Sequence, residues 1–211
     1  RLMDVESFQH IRAVRNLRGS RLPSGRALPQ GEIRALFAVC EADRSCLGAR
    51  DAAMLAVILG CGLRRSEAVG LDLRDVVTNE QALRVLGKGN KERLAFMPAG
   101  TWQRLRTWID DVRGEKDGPL FTRIRRFDTL TYDRLTDQAV YHVLQVRQRQ
   151  AGIAKCAPHD LRRTFATAML DNGEDLITVK DAMGHASVTT TQQYDRRGEA
   201  RLRQARDRLK I

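Results

Sequence analysis

The stretch Ala157-Pro158-His159-Asp160-Leu161-Arg162-Arg163-Thr164-Phe165-Ala166-Thr167 reads as the opening of a helix. Pro158 stands at a first helical position, where a missing N–H is harmless. Phe165, Met169 and Leu170 are core candidates on one face, while His159 and Arg162, three apart, project together from another. Downstream, Leu176, Ile177, Val179 and Met183 predict a second short helix, closed by Gly184. His185 follows at once, and Tyr194 comes nine residues later, across a turn. Two histidines, an arginine and a tyrosine thus sit beside helix signals in the last third of the chain.

Working back from this block, Thr136 is a plausible N-cap for a helix to about Gln150, with Val140, Val143 and Leu144 facing inward and Gly152 ending it. Residues 114–135 read as irregular and basic, with Arg123-Ile124-Arg125-Arg126 among them. Residues 99–113 predict a helix whose apolar face is Trp102, Leu105, Trp108 and Ile109, tryptophans of a core rather than a base-stacking platform. Between 74 and 98 the period changes to that of short strands: Val76-Val77, Leu83–Leu86 and Leu94–Met97. The turn Gly87-Lys88-Gly89-Asn90-Lys91 joins the last two; no helix follows its G-x-G, so it is no nucleotide loop. Earlier still, Ala52–Leu59 is apolar nearly all round and predicts a central helix ending at Gly60-Cys61-Gly62, with Arg64 at the mouth of a short helix after it. Ile33, Leu36, Phe37 and Cys40 form another helical stripe. Helices, then a small three-stranded antiparallel sheet, then helices again predict a mostly α fold with α+β character.

The ends differ from this body. Phe8, Ile11, Val14 and Leu17 have helical spacing, as in the tail of a helix that packs in a domain absent from this chain. Residues 18–28 are basic with Gly, Ser and Pro, the composition of a linker, which a frayed terminal arm would share. The globular domain is therefore expected over 29–211, the chain before it being a helix end and linker. After Asp195, Leu202, Ala205 and Leu209 draw a thin apolar stripe on a basic helix of about 196–211, suited to folding back or to docking on a neighbour.

A formal charge of +11 and a pI near 10.2 call for a polyanionic partner, nucleic acid before membrane surface. No apolar run is long enough to span a bilayer, and no charged-then-apolar leader is present. Cys40, Cys46, Cys61 and Cys156 show neither zinc nor disulfide spacing and read as reduced thiols of a cytoplasmic protein. A metal site from Cys156, His159 and His185 is disfavoured, because structural zinc wants four ligands. Adding Arg64 and Lys88 to the C-terminal block gives several cations, two imidazoles and a phenol. Such a set suits chemistry at a phosphate, where cations hold non-bridging oxygens and a hydroxyl attacks phosphorus.

Four blocks, in order, resemble the tyrosine recombinase (phage integrase) family. Gly62-Leu63-Arg64-Arg65-Ser66-Glu67 is similar to the block around its first catalytic arginine, which implies that role for Arg64. Leu86-Gly87-Lys88-Gly89-Asn90-Lys91-Glu92-Arg93 is similar to the hairpin with the catalytic lysine, here Lys88. His159-Asp160-Leu161-Arg162 matches the H-x-x-R pattern, implying His159 and a second arginine, Arg162. Gly184-His185, with Tyr194 nine residues on, implies His185 at the family's His/Trp position and Tyr194 as nucleophile. The resemblance spans roughly 29–195. It departs in lacking the N-terminal DNA-clamping domain, of which 1–28 looks like the stub, and in Arg163, where many relatives carry histidine.

The resemblance implies a DNA strand-exchange enzyme that passes through a 3′-phosphotyrosine, needs no metal, ATP or other cofactor, and works as a homotetramer on duplex DNA at a specific site. Integration, excision and resolution share this core. Arg64 and Arg162 suit bidentate contact with one phosphate, and Glu67, one helical turn past Arg64, is expected to orient it. The resemblance gives Lys88 the proton for the leaving 5′-oxygen and His159 the proton of Tyr194. Lys88, Lys91 and Arg163 are expected to touch DNA. Two other readings stay open: a type IB topoisomerase-like strand transferase, and a DNA-binding module without catalysis.

Overall fold

In the computed structural model, which describes residues 4–8, 25–87, 90–185 and 191, the periodic segments become helices. They are Gln30–Ala42 (α1), Cys46–Cys61 (α2), Arg65–Gly70 (α3), Ala99–Trp108 (α4, continued by a π-helical turn Ile109–Arg113), Asp137–Gln150 (α5), Pro158–Asp171 (α6) and Leu176–Met183 (α7). α2 is the axis. Its residues Ala52 to Ile58 are all buried, as an apolar-all-round helix requires. α1, α4 and α6 pack around it, α5 packs on α1 and α3, and α7 packs on α6. Trp108 is fully buried and donates from Nε1 to the Leu120 carbonyl at 2.8 Å, so its one polar atom is satisfied inside the core.

The first turns of α2 hold a feature that the apolar reading did not foresee. Arg50 and Asp51 are both buried and pair at 2.7 Å; Asp51 also takes Arg147 of α5 at 2.8 Å, and Arg147 reaches Asp43 at 2.7 Å. Each buried charge has a partner, which makes its burial tolerable.

Val76–Val77 (β1), Ala82–Leu86 (β2) and Glu92–Phe96 (β3) form the expected antiparallel sheet in the order β1-β2-β3. Val85 faces Arg93, and Leu86 faces Glu92 where the β2–β3 hairpin opens. A second sheet departs from the sequence reading. The segment taken as irregular contains the hairpin Thr122–Arg125 (β4) and Thr129–Arg134 (β5). Its turn is made by Phe127 and Asp128, both at positive φ (59° and 57°), positions that Gly or Asn usually mark. Asp128 accepts the Cys46 N–H at 2.9 Å, tying the hairpin tip to the start of α2.

The linker reading also needs trimming. Leu28 is buried in the main core, and its N–H donates to Thr164 Oγ1 at 2.8 Å; the Arg26 N–H donates to Asp160 Oδ1 at 3.0 Å. Residues 26–28 are therefore a strap on α6. At the N-terminus a short helical turn covers residues 5–8, with Asp4 accepting the Ser7 N–H; the rest of the predicted N-terminal helix and the whole predicted C-terminal helix lie outside the described residues. No helix among the described residues is long and apolar enough to cross a membrane.

Candidate active site

α2 stops at Gly62, whose left-handed φ of 60° closes the helix and reverses the chain. An added Cβ there would meet Phe165 Cδ1 at 2.4 Å, so α6 packs directly on this turn. Leu63 is buried, and Arg64 follows in extended conformation as the residue that starts α3. Glu67 then does two things at once. Its Oε2 accepts the Arg64 backbone N–H at 2.9 Å, capping the helix, and its Oε1 takes Arg64 Nη1 at 2.5 Å, aiming the side chain. Burial opposes the ionisation of Glu67, but hydrogen bonds and charge from Arg93 and Arg64 outweigh it and hold the carboxyl below its usual range.

α6 opens with Pro158 at its first position. Asp160 Oδ2 accepts the Ala157 N–H at 2.9 Å, so the helix start is fixed from inside. Arg162, one turn on, is only 2% exposed. Its Nη1 donates to the Gly62 carbonyl, and its Nη2 donates to the Met183 carbonyl at 2.7 Å. Those are terminal carbonyls of α2 and α7, which carry the partial negative charge of a helix C-terminus. The guanidinium is solvated by dipoles, and Glu67 stays 3.9 Å away.

Gly184 closes α7 in left-handed conformation (φ 62°) and delivers His185 to the same place. His185 Nδ1 lies 2.9 Å from Thr191 Oγ1. With that hydroxyl as donor, the ring proton sits on Nε2, the nitrogen then able to donate to a phosphate oxygen. Burial, with the charges of Arg162, Arg64, His159 and Arg93, pushes the His185 pKa down to about 4. His159 is lowered as well, by burial and then by Arg163 and Arg162. Both shifts favour the neutral imidazole at pH 7, and nearby cations contribute to each.

Four predicted residues, Arg64, His159, Arg162 and His185, are thus brought together from the ends of α2, α6 and α7. A cavity of about 300 Å³ opens among Arg64, Tyr141, His159 and Arg162, and a recess of about 420 Å³ lies on the other side of Arg64, against Glu67, Leu86 and Gly87 of the hairpin. A larger cavity of about 760 Å³ lies at the opposite end of α2, near Cys46 and Arg104, and touches none of these groups. Lys91 is exposed on the β2–β3 hairpin. Arg163, next to Arg162 on α6, is 4% exposed. Lys88 and Tyr194 lie outside the described residues.

Sequence reasoning missed Arg93, which joins Glu67 at 3.0 Å, and Thr191 as the partner of His185. A signal for Arg93 existed: it occupies the inward phase of β3, where a charge needs a partner. Among the described residues no group of three or more His, Cys, Asp or Glu side chains is arranged to hold a metal ion. Burial pushes the thiols of Cys40 and Cys61 up to about 12 and that of Cys156 to about 11, so none is a ready nucleophile.

The sequence model of the phage integrase family matches residues 26–201. Tyrosine recombinase XerD of Pseudomonas aeruginosa is 36% identical over 181 residues, which is 85% of this chain and 60% of that protein. The chain thus spans about three-fifths of the length of that relative. Among solved structures, XerA recombinase superposes with a TM-score of 0.72 at 27% identity, covering 92% of this chain and 66% of that one. XerH site-specific recombinase bound to its palindromic difH substrate, in a post-cleavage complex, gives 0.69 at 25% identity over 92% and 56%.

Proposed function

The chain belongs to the phage integrase family, and on that premise we propose that it cuts and rejoins DNA strands at a specific site through a tyrosine–phosphate ester. The observation that carries this reading is that Arg64, His159 and Arg162 line one recess, with His185 close enough to feel the charge of all three. Around Glu67 stand three guanidiniums, those of Arg64, Arg93 and Arg162, against one carboxylate. A phosphodiester supplies the missing negative charge.

In the proposed reaction the two non-bridging oxygens of the scissile phosphate lie against Arg64 and Arg162, with His185 Nε2–H donating to one of them. Tyr194 Oη attacks phosphorus as its proton passes to His159. The P–O5′ bond breaks, and the leaving oxygen takes a proton from Lys88 to become a 5′-hydroxyl. One ester replaces another, so the step is close to thermoneutral and reverses when a second 5′-hydroxyl attacks the phosphotyrosine. The cations act where charge builds in the pentacoordinate transition state, and loss of one such donor costs on the order of 10²–10³ in rate. Lys91 contacts a flanking phosphate. Two duplexes exchanging strands require four such chains, so we infer a homotetramer on synapsed DNA, acting on DNA in the cytoplasm, and we read residues before the strap as the link to a DNA-clamping domain.

The test is covalent capture. The protein is incubated in EDTA with a pool of nicked duplexes, whose short cleaved fragment diffuses away and traps the adduct. A denaturation-resistant protein–DNA band is expected, and Tyr194→Phe should abolish it while leaving DNA binding intact. DNA binding without a band from either protein would favour the non-catalytic reading; a band that persists in Tyr194→Phe would mean a different nucleophile.

A further inference from the structure

Arg93 is the one charged side chain on the inward phase of β3, where Ala95 is its neighbour and Glu92, Leu94 and Phe96 point outward. It reaches across to two other elements. Its Nη2 lies 3.0 Å from Glu67 Oε2 and its Nη1 lies 3.5 Å from Glu67 Oε1, a two-pronged contact with the carboxylate that aims Arg64. Its Nε donates to the Ala182 carbonyl at 3.3 Å, in the last turn of α7. Gly184, the residue before His185, fits against the same guanidinium: a Cβ there would sit 2.8 Å from Nη1. Only 13% of the Arg93 side chain is exposed.

Glu67 is the reason this matters. The same Oε2 that takes Arg93 is 3.9 Å from Arg162 Nη1. A buried carboxylate deprived of one partner turns to the next cation, and here that cation is the phosphate-holding Arg162. We propose that Arg93 is a positioning residue for DNA cleavage: by making the shorter, two-pronged contact with Glu67 it holds the Arg162–Glu67 pair at its long 3.9 Å separation, so that Arg162 keeps its orientation on the Gly62 and Met183 carbonyls, and it anchors the turn that presents His185. This inference rests on the strand-cutting reading above. Arg93 touches no reacting atom. It acts through Glu67 and the end of α7.

The test compares the 211-residue chain with its Arg93→Met and Arg93→Lys variants. Single-turnover adduct formation is followed on a nicked duplex bearing a sequence enriched in the parent's adducts. The duplex is made in two forms, with a normal phosphate or a neutral methylphosphonate at the cleaved position. A phosphate needs both arginines; a methylphosphonate, with one anionic oxygen replaced by methyl, needs fewer. On phosphate DNA, Arg93→Met should cleave about 100-fold more slowly at saturating DNA, with Kd within about twofold of the parent. On methylphosphonate DNA the gap to the parent should shrink to less than about tenfold, and Arg93→Lys, which keeps the charge but not the fork, should fall between. Thermal melts establish that each variant is folded at the assay temperature; if Arg93→Met is not, Arg93→Lys carries the comparison. An equal defect on both linkages, or no defect on either, overturns the inference and leaves Arg93 a packing residue. A parent that forms no adduct on any DNA overturns the strand-cutting reading itself, and this inference with it.

Discussion

At His185 burial and charge press the same way. The ring is 8% exposed and lies near the guanidiniums of Arg162, Arg64 and Arg93 and the His159 imidazole; burial first, then their charge, brings its pKa to about 4 against an ordinary 6.5. The unfolded chain therefore takes up a proton near pH 6.5 that the fold refuses until about pH 4. Stability should fall as pH drops through that window and level off below it, by up to about 3 kcal/mol. Denaturant melts across the window should record the loss, and His185→Gln should flatten the profile; an unchanged slope in that variant would place the titration elsewhere. The types and spacings of His159, Arg162 and His185 were legible because short helical offsets fix which side chains share a face. Thr191 could not be found, since nothing in a run of threonines says which one meets an imidazole.

Among the elements, the turn after α2 does most to assemble the site. Gly62 supplies a left-handed residue, a carbonyl for Arg162 and space for the Phe165 ring. Gly62→Ala should cost about 2 kcal/mol or more from backbone strain and the clash together. A calorimetric melt would read this as a clear drop in Tm, and cleavage should fall with it because Arg162 loses its seat. A melt equal to that of the parent would contradict the packing described. The helices were readable because their apolar stripes repeat and because α2 and α7 stop at glycines. The β4–β5 hairpin was not, because Phe127 and Asp128 adopt the left-handed turn without a Gly or Asn to announce it, and Phe127 is 97% exposed where an apolar residue suggests core. On β3 the usual alternation is inverted: Leu94 and Phe96 face out while Arg93 faces in. Period alone located the strand and left open which of its faces is buried.

For the molecule as a whole, charge and topology agree. A net +11 with a recess of clustered arginines suits a polyanion, and the strap from Arg26 to Leu28 ties whatever precedes it to the helix that carries His159 and Arg162. DNA binding should be driven by counterion release. With about four phosphates neutralised, Kd should rise about 100-fold for a fourfold increase in salt. Filter-binding or fluorescence titrations at several salt concentrations would give the slope; a flat response would remove nucleic acid as the partner. The fold class and the family were legible in the sequence because four short blocks occur in the right order. The strap was not, because its basic, glycine-containing composition is that of a linker, and only the placement of Asp160 and Thr164 reveals that it is held.

The most direct measurement is the chemistry of the covalent bond. The trapped adduct is digested with nuclease and protease, and the modified peptide is identified by mass spectrometry while the released DNA end is tested for phosphorylation by a kinase. The account predicts a nucleotide joined through its 3′-phosphate to Tyr194 and a free 5′-hydroxyl on the partner end. A 5′-phosphate linkage, or attachment to any other residue, would contradict it.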